Sequence, residues 1–407
     1  MISTSITRKD YHKYLAIIGG GVLLLGIILH IANIHSIYDL PIILEIIGLC
    51  VLLLHAYRLK NPGHRLSNIE INSRTLNNML TDHAIIIAMV VMVVIICFLQ
   101  PRFMQIRVVL DIMTQSSTKL IIALGICFTL IIAGCDLSAG RIVGLAAVIS
   151  TSMLQTQDYA NRFFPGLPEM PLFVPIIIAI LICMLFGALN GFLVAQYELH
   201  PFIATLATSV IVYGSCSLYF DMDPNNSQPI GGVRPDFAAL GQTKILQSGS
   251  FPGISVLIPI AAVVTVGIWF VLNKTVFGKN VYAVGGNREA AVVAGVNVWA
   301  TNLFIFVLAA GLYGLAGVLE AARTAGATNQ YGQGYELDAI AACVVGGVSL
   351  MGGIARVSGI IAGVFVFTII TYGLQFISVS PMWQQVIKGI IIATAVAIDM
   401  GKYRRKN

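Results

Sequence analysis

The sequence predicts an all-α polytopic membrane protein, on three observations. Hydrophobic residues make up 57% of the 407 positions and charged ones 10%, against roughly 45–50% and about 25% in soluble domains. The mean hydropathy is +0.87. The apolar residues fall in stretches long enough for helices of ~20 residues to cross a bilayer, not in the short alternating segments of a transmembrane barrel. About 10–12 such helices fit the chain, with broken or re-entrant segments among them. The net charge of +6 does not point to nucleic acid, because Lys and Arg gather in loops and in the tail GKYRRKN. In a membrane chain that clustering reports orientation, and the lipid bilayer is the surrounding partner.

In chain order, residues 1–14 carry Arg8, Lys9 and Lys13, so the N-terminus is expected in the cytoplasm. Spans are predicted at 15–34 and 38–57, the second containing Pro41 and an isolated Glu45. The first is long enough to be retained, and no small-residue cleavage site follows it. Residues 58–78 form a basic loop, again cytoplasmic. Positions 1–80 thus read as an N-terminal extension with two extra spans, and 81–407 as the core. The core opens with a span at 84–100. Residues 101–117 are amphipathic and read either as a surface helix or as half of a broken span. Apolar helices follow at 118–135 and 142–155, then a Pro-containing polar loop at 156–170, expected outside. Spans at 171–197 and 201–220 precede the longest polar segment, 221–250, also expected outside. Further spans fall at 252–272, 300–320, 335–350, 357–377 and 383–400. The basic tail places the C-terminus in the cytoplasm too. Trp269, Trp299 and Trp383 lie at segment ends, as an interfacial belt requires.

The loop at 273–298 is basic, through Lys274, Lys279 and Arg288, and is expected to face the cytoplasm. It holds the pair Gly285–Gly286 and a short helix over 287–294, well placed to be gripped by a cytosolic partner. A weak internal repeat is present: Ala133–Gly140 (AGCDLSAG) aligns with Gly346–Gly353 (GGVSLMGG). Gly-interrupted segments at matching places in two halves point to a transport pathway, although small residues are also enriched wherever membrane helices meet.

The seven cysteines sit in or beside apolar stretches without a CxxC, and read as small buried apolar residues, not as a disulfide or metal framework. No phosphate-binding loop, zinc-protease motif or nucleophile elbow occurs, so no catalytic residue, metal or cofactor is expected; any ATP must be hydrolysed by another chain. Polar residues within the apolar body are the candidates for a translocation path or gate: Asp136, Ser138, Arg141, Asn329, Glu336 and Asp338. Asp136 and Arg141 are placed to pair through the bend between them, and Asp136 or Ser138 also reads as a helix N-cap. Glu320 and Arg323 head a polar stretch, 323–338, that reads as a re-entrant segment, an outer lip or a plain loop. Lys388 reads as a snorkelling side chain.

Three of these stretches, DLSAGRIVGLAAVIS (136–150), NKTVFGKNVYAVGGNREAAVVAGVNV (273–298) and YELDAIAACVVGGVSLMGG (335–353), closely resemble the membrane permease subunits of bacterial ABC importers for monosaccharides. They are most like those of galactose/methyl-galactoside systems, and next like ribose permeases. The resemblance runs from about Gln105 to the C-terminus; relatives usually begin with a short tail where this chain has its extension. It implies a bacterial plasma (inner) membrane homodimer, a cytosolic ABC ATPase subunit and an extracytoplasmic sugar-binding protein. It also implies a coupling element formed by Gly285, Gly286, Asn287, Glu289, Ala290, Ala291 and Gly295, with the two glycines allowing a sharp turn of the backbone. Alternatives are a ribose or nucleoside permease, or a secondary sugar transporter driven by an ion gradient. The latter needs carboxylates near mid-membrane, and few are present. An intramembrane enzyme would need a nucleophile–base pair or metal cluster, and neither is legible.

Overall fold

The structure, a computed structural model, describes residues 84–249 and 251–404. The extension over 1–80, with its two expected spans, Glu45 and Cys50, lies outside the described residues. Thirteen α-helices run through the described part: α1 (Ala84–Leu99), α2 (Ile106–Ile131), α3 (Ala139–Met153), α4 (Phe173–Gln196), α5 (Pro201–Asp221), α6 (Pro235–Gln242), α7 (Leu257–Lys274), α8 (Val276–Gly286), α9 (Arg288–Val293), α10 (Val298–Thr324), α11 (Tyr335–Val345), α12 (Val357–Phe376) and α13 (Pro381–Arg404). Strands β1 (Lys244–Ile245) and β2 (Ile254–Ser255) pair antiparallel before α7. Helices α2, α4, α5, α7, α10 and α12 are long and apolar enough to cross a membrane. The chain is a multi-pass, all-α membrane protein.

Two expected boundaries move. The amphipathic 101–117 and the apolar 118–135 are one helix: after a short 3₁₀ turn at Pro101–Met104, α2 runs unbroken for 26 residues. No Pro or Gly interrupts 106–124, so nothing breaks the hydrogen-bond ladder where polarity changes. In the 273–298 loop, α8 appears where none was expected. Thr275 caps it, its hydroxyl accepting from Gly278 N at 3.1 Å.

The described residues form two units. The first holds 84–111 and Ile369–Ile387. Its core is aromatic: Phe103 lies 5.3 Å from the Phe376 ring, edge on, and 6.4 Å from Tyr372. Gly373 lets Ile96 close in, since a Cβ there would sit 2.5 Å from Ile96 Cδ1.

The second unit holds Ile112–Thr368 and 388–404. Its centre is α10, buried along most of its length and flanked by α3, α4 and the short α6. Close approach depends on small residues. A Cβ on Gly187 would meet Phe306 O at 2.5 Å, and one on Gly191 would meet Leu303 Cα at 2.8 Å. At one end the loops after α3, α5 and α10 are laced together. Thr156 N donates to Gly232 O and Arg234 N to Leu154 O, each at 2.8 Å, and Ile230 and Ala327 exchange two backbone bonds at 3.0 Å. The α8–α9 segment lies at the opposite end of α10.

The two repeated segments both form helix breaks with the same chemistry. After α2, Ala133 N donates to Leu130 O and Gly134 N to Thr129 O, each at 2.9 Å, with Ala133 in the left-handed region (φ 57). After α11, Gly347 N donates to Val344 O and Val348 N to Cys343 O, each at 2.9 Å, with Gly347 left-handed (φ 84). Both are Schellman terminations. The structural register is therefore Ala133 with Gly347, one residue away from the sequence alignment. The two breaks also touch: Gly353 N donates to Ile131 O at 2.8 Å.

Candidate translocation path and coupling segment

The coupling candidates sit on α8, α9 and the turn after them. Asn287 separates the two helices with an extended backbone, and its Oδ1 caps α9 by accepting from Ala290 N at 2.9 Å. A third Schellman-type end closes α9: Gly295 is left-handed (φ 81), its N–H donates to Val292 O, and Val296 N donates to Ala291 O, both at 3.0 Å. Gly285 and Gly286 do not make a sharp turn; they are the last two residues of α8. Gly285 is required by contact instead. A Cβ there would lie 2.7 Å from Ile131 C and closer still to its oxygen, whereas one on Gly286 meets nothing within 4 Å.

The named set divides by exposure. Gly286, Asn287, Glu289, Ala290 and Gly295 face outward. Ala291 is 3% exposed and packs with Val284 and Val298. Sequence reading passed over Val292 (56% exposed) and Val293 (90%), the most prominent apolar side chains on α9. Two apolar residues on a six-residue helix are too few to give a periodic signal. Arg288 pairs with Glu198 at 2.5 Å and Trp299 Nε1 donates to Gln196 at 3.1 Å, tying the segment to the end of α4. Just above it, Tyr282 donates to Ala355 O at 3.1 Å, and burial pushes its phenol up to about 12, so it stays a neutral donor.

The path candidates fall into separate environments. Asp136, 1% exposed, does not pair with Arg141. Its Oδ1 accepts from Ser138 N at 2.9 Å and Ser138 Oγ at 2.6 Å, and Asn190 Nδ2 donates to Ser138 Oγ at 3.0 Å. Ser138 occupies the N-cap position of α3, but its hydroxyl is spent on Asp136 and not on the helix. The motif is an Asx turn closing the break between α2 and α3.

Arg141 turns the other way and lays its guanidinium 4.2 Å from the centre of the Tyr213 ring. Its Nη1 is buried without a hydrogen-bond partner, and so is Oε2 of Glu336 at the start of α11. That oxygen rests against Gly140, where any Cβ would overlap it. Beside them Gln330 donates to the Tyr213 hydroxyl at 2.9 Å, and Asn329 donates to Ser217 Oγ at 3.3 Å.

Asp338 belongs to another cluster. Lys388 is not a snorkelling side chain; it bonds Asp338 at 2.7 Å, with both side chains under a fifth exposed. Glu320 accepts from Arg323 at 2.6 Å and from Thr118 at 2.8 Å. Lys119 lies within electrostatic reach of both carboxylates. A cavity of about 10 Å³ opens beside Lys119, Tyr335 and Asp338, enough for about one water. The cluster links α2, α10, α11 and α13 by charge. Among the described residues no group of His, Cys, Asp and Glu is placed to hold a metal, and the six described cysteines are free thiols.

Comparison with known proteins follows the same segments. The family described as branched-chain amino acid transport system/permease component matches residues 108–396. The galactose/methyl galactoside import permease protein MglC of Escherichia coli K12 is 45% identical over 336 residues, 83% of this chain and 99% of the relative. The protein of the same name from Haemophilus influenzae is 46% identical over 329 residues, 81% of this chain and 97% of its own. The ribose import permease protein RbsC of Haemophilus influenzae is 33% identical over 334 residues, 81% and 96% of the two chains. No solved structure matches. With the family pattern running from α2 to α13 and nearly whole relatives aligned, this chain belongs to the family of branched-chain amino acid transport system permease components.

Proposed function

We propose that this chain is the membrane permease subunit of an ATP-driven importer of the ABC type, and that its solute is galactose or a methyl galactoside. The observation that carries the reading is the 45% identity to a galactose/methyl galactoside permease matched over 99% of its length. Ribose is the second reading, favoured by the 33% identity to a ribose permease. In this reading the chain sits in the bacterial inner membrane with both termini cytoplasmic, and two copies form the path. A cytosolic ATPase grips α9, and an extracytoplasmic sugar-binding protein delivers solute to the laced loops at the other end. The permease makes and breaks no covalent bond and needs no metal or cofactor. The exposed face of α9, with Glu289, Val292 and Val293, is what the ATPase would touch. Gly285 and Ala291 would act from behind by seating α8 and α9 on the bundle.

The test is uptake of labelled galactose into proteoliposomes holding this permease with its ATPase and binding protein, with ribose and a nucleoside as competitors. ATP-dependent uptake blocked by unlabelled galactose alone is expected. ATP-dependent uptake of ribose instead would keep the importer and discard the sugar. Uptake that survives ATP depletion but collapses with an ionophore would replace the importer by an ion-driven transporter. Glu289→Lys and Gly286→Trp are expected to abolish uptake with membrane insertion intact, since both positions face outward. Normal uptake by either would remove the α8–α9 segment as the coupling element.

A further inference from the structure

Most buried ionic groups in the second unit are matched: Asp338 by Lys388, Glu320 by Arg323 and Thr118, Asp136 by Ser138. Arg141 and Glu336, both half-buried, are the exception, at one atom each. They lie on adjoining segments and feel one another's charge. Yet Nη1 of one and Oε2 of the other are buried with no hydrogen bond. Leaving a buried donor and acceptor unmet is costly, and more so for charged groups. Arg141 is held away from the carboxylate by stacking on Tyr213, and Glu336 is held against Gly140, where only glycine leaves room for it.

The chemistry of the unmet pair is selective. A hydroxyl group both donates and accepts, so two neighbouring hydroxyls can satisfy a carboxylate oxygen and a guanidinium nitrogen together. A phosphorylated solute would be repelled by Glu336 and an amine by Arg141. The surrounding groups are polar and planar: the Tyr213 ring, Gln330 on its hydroxyl, and Asn329 on Ser217. We propose that Arg141 and Glu336 are the two halves of a split charge pair that a neutral polyhydroxylated solute bridges during passage, making this seam between α3, α5 and α11 a solute-contact site. The inference rests on the permease reading above and adds the residues that contact the solute.

The test compares wild type, Arg141→Lys, Glu336→Gln and the double variant in the complete transporter. Two quantities are read: ATP-dependent galactose uptake, and the thermal unfolding midpoint of the purified complex. Wild-type uptake is the control; where only ribose is carried the same variants are read on ribose, and uptake of neither sugar would sink the permease reading and this inference with it. With uptake present, each single variant should lower it at least tenfold, and the double variant should fall little further, because either change already breaks the bridge. The unfolding midpoints should shift independently and additively, since no bond joins the two side chains in the protein. If Glu336→Gln fails to assemble, Glu336→Asp, which keeps the charge but shortens its reach, takes its place in the cycle. Unchanged uptake in the single variants overturns the proposal. So does coupling that appears in the unfolding midpoints and not in uptake, which would mean a structural ion pair.

Discussion

Adjacent glycines at the end of α8 offer a sharp test of why that segment sits where it does. Replacing Gly by Ala inside a helix gains about 1 kcal/mol of backbone propensity. At 286 nothing lies within 4 Å of the new methyl, so Gly286→Ala keeps part of that gain, reduced because 286 is the last helical residue. At 285 the methyl overlaps the Ile131 carbonyl. Relieving such overpacking costs about 1–3 kcal/mol. The same oxygen accepts from Gly353 N at 2.8 Å, and pushing it aside weakens a bond worth about 0.5–1.5 kcal/mol. Set against the propensity gain, Gly285→Ala should destabilise by about 1–3 kcal/mol, a fall of some degrees in unfolding midpoint at ~2–4 °C per kcal/mol. The assay is intrinsic fluorescence of the purified permease during heating, with the three proteins side by side. A midpoint for Gly285→Ala at or above wild type, or an equal fall in both variants, would refute the contact argument and revive a purely conformational role for the pair.

Two further outcomes follow from the described contacts. Lys388→Met strands Asp338 among helices and should cost about 1–3 kcal/mol, below the usual loss for a buried pair because Lys119 also lies near that carboxylate; a heating midpoint equal to wild type would show that the pair adds nothing. Asn287→Ala removes the cap on α9, worth about 0.5–2 kcal/mol. Amide exchange at 290–294 should quicken while the body's melting stays put, and unchanged exchange there would contradict the capping geometry.

Much of this molecule was legible in the sequence, for reasons that differ by region. Helices such as Phe173–Gln196 and Val357–Phe376 are long, apolar and bounded by turn residues, so composition alone locates them within about 2 residues. The fusion of 101–117 with 118–135 was hidden because hydropathy changes along α2 while backbone continuity does not. Helix α8 was missed because Gly278, Gly285 and Gly286 read as breakers; in space two of them are concessions to close contact. Among the path candidates, sequence marked the polar residues but not their partners. The Asp136–Arg141 spacing suggested a pair, and the Asx turn with Ser138 took the carboxylate first. Lys388 and Asp338, fifty positions apart, could be joined only by the fold.

The Ile131 carbonyl is where the end of α2, Gly285 of α8 and Gly353 meet. Because Gly285 must face that oxygen, the length of α8 is fixed, while its outer surface is free to vary. One inserted residue between Thr275 and Gly285 would turn the helix end by about 100° and advance it about 1.5 Å. That would swing a side chain onto the carbonyl and point the glycine elsewhere. Two insertions or two deletions would not restore the alignment, and even seven residues, close to two full turns, would carry the glycine about 10 Å along the axis. The segment should therefore tolerate no change of length, while point changes at the exposed Lys279 or Ala283 pass freely.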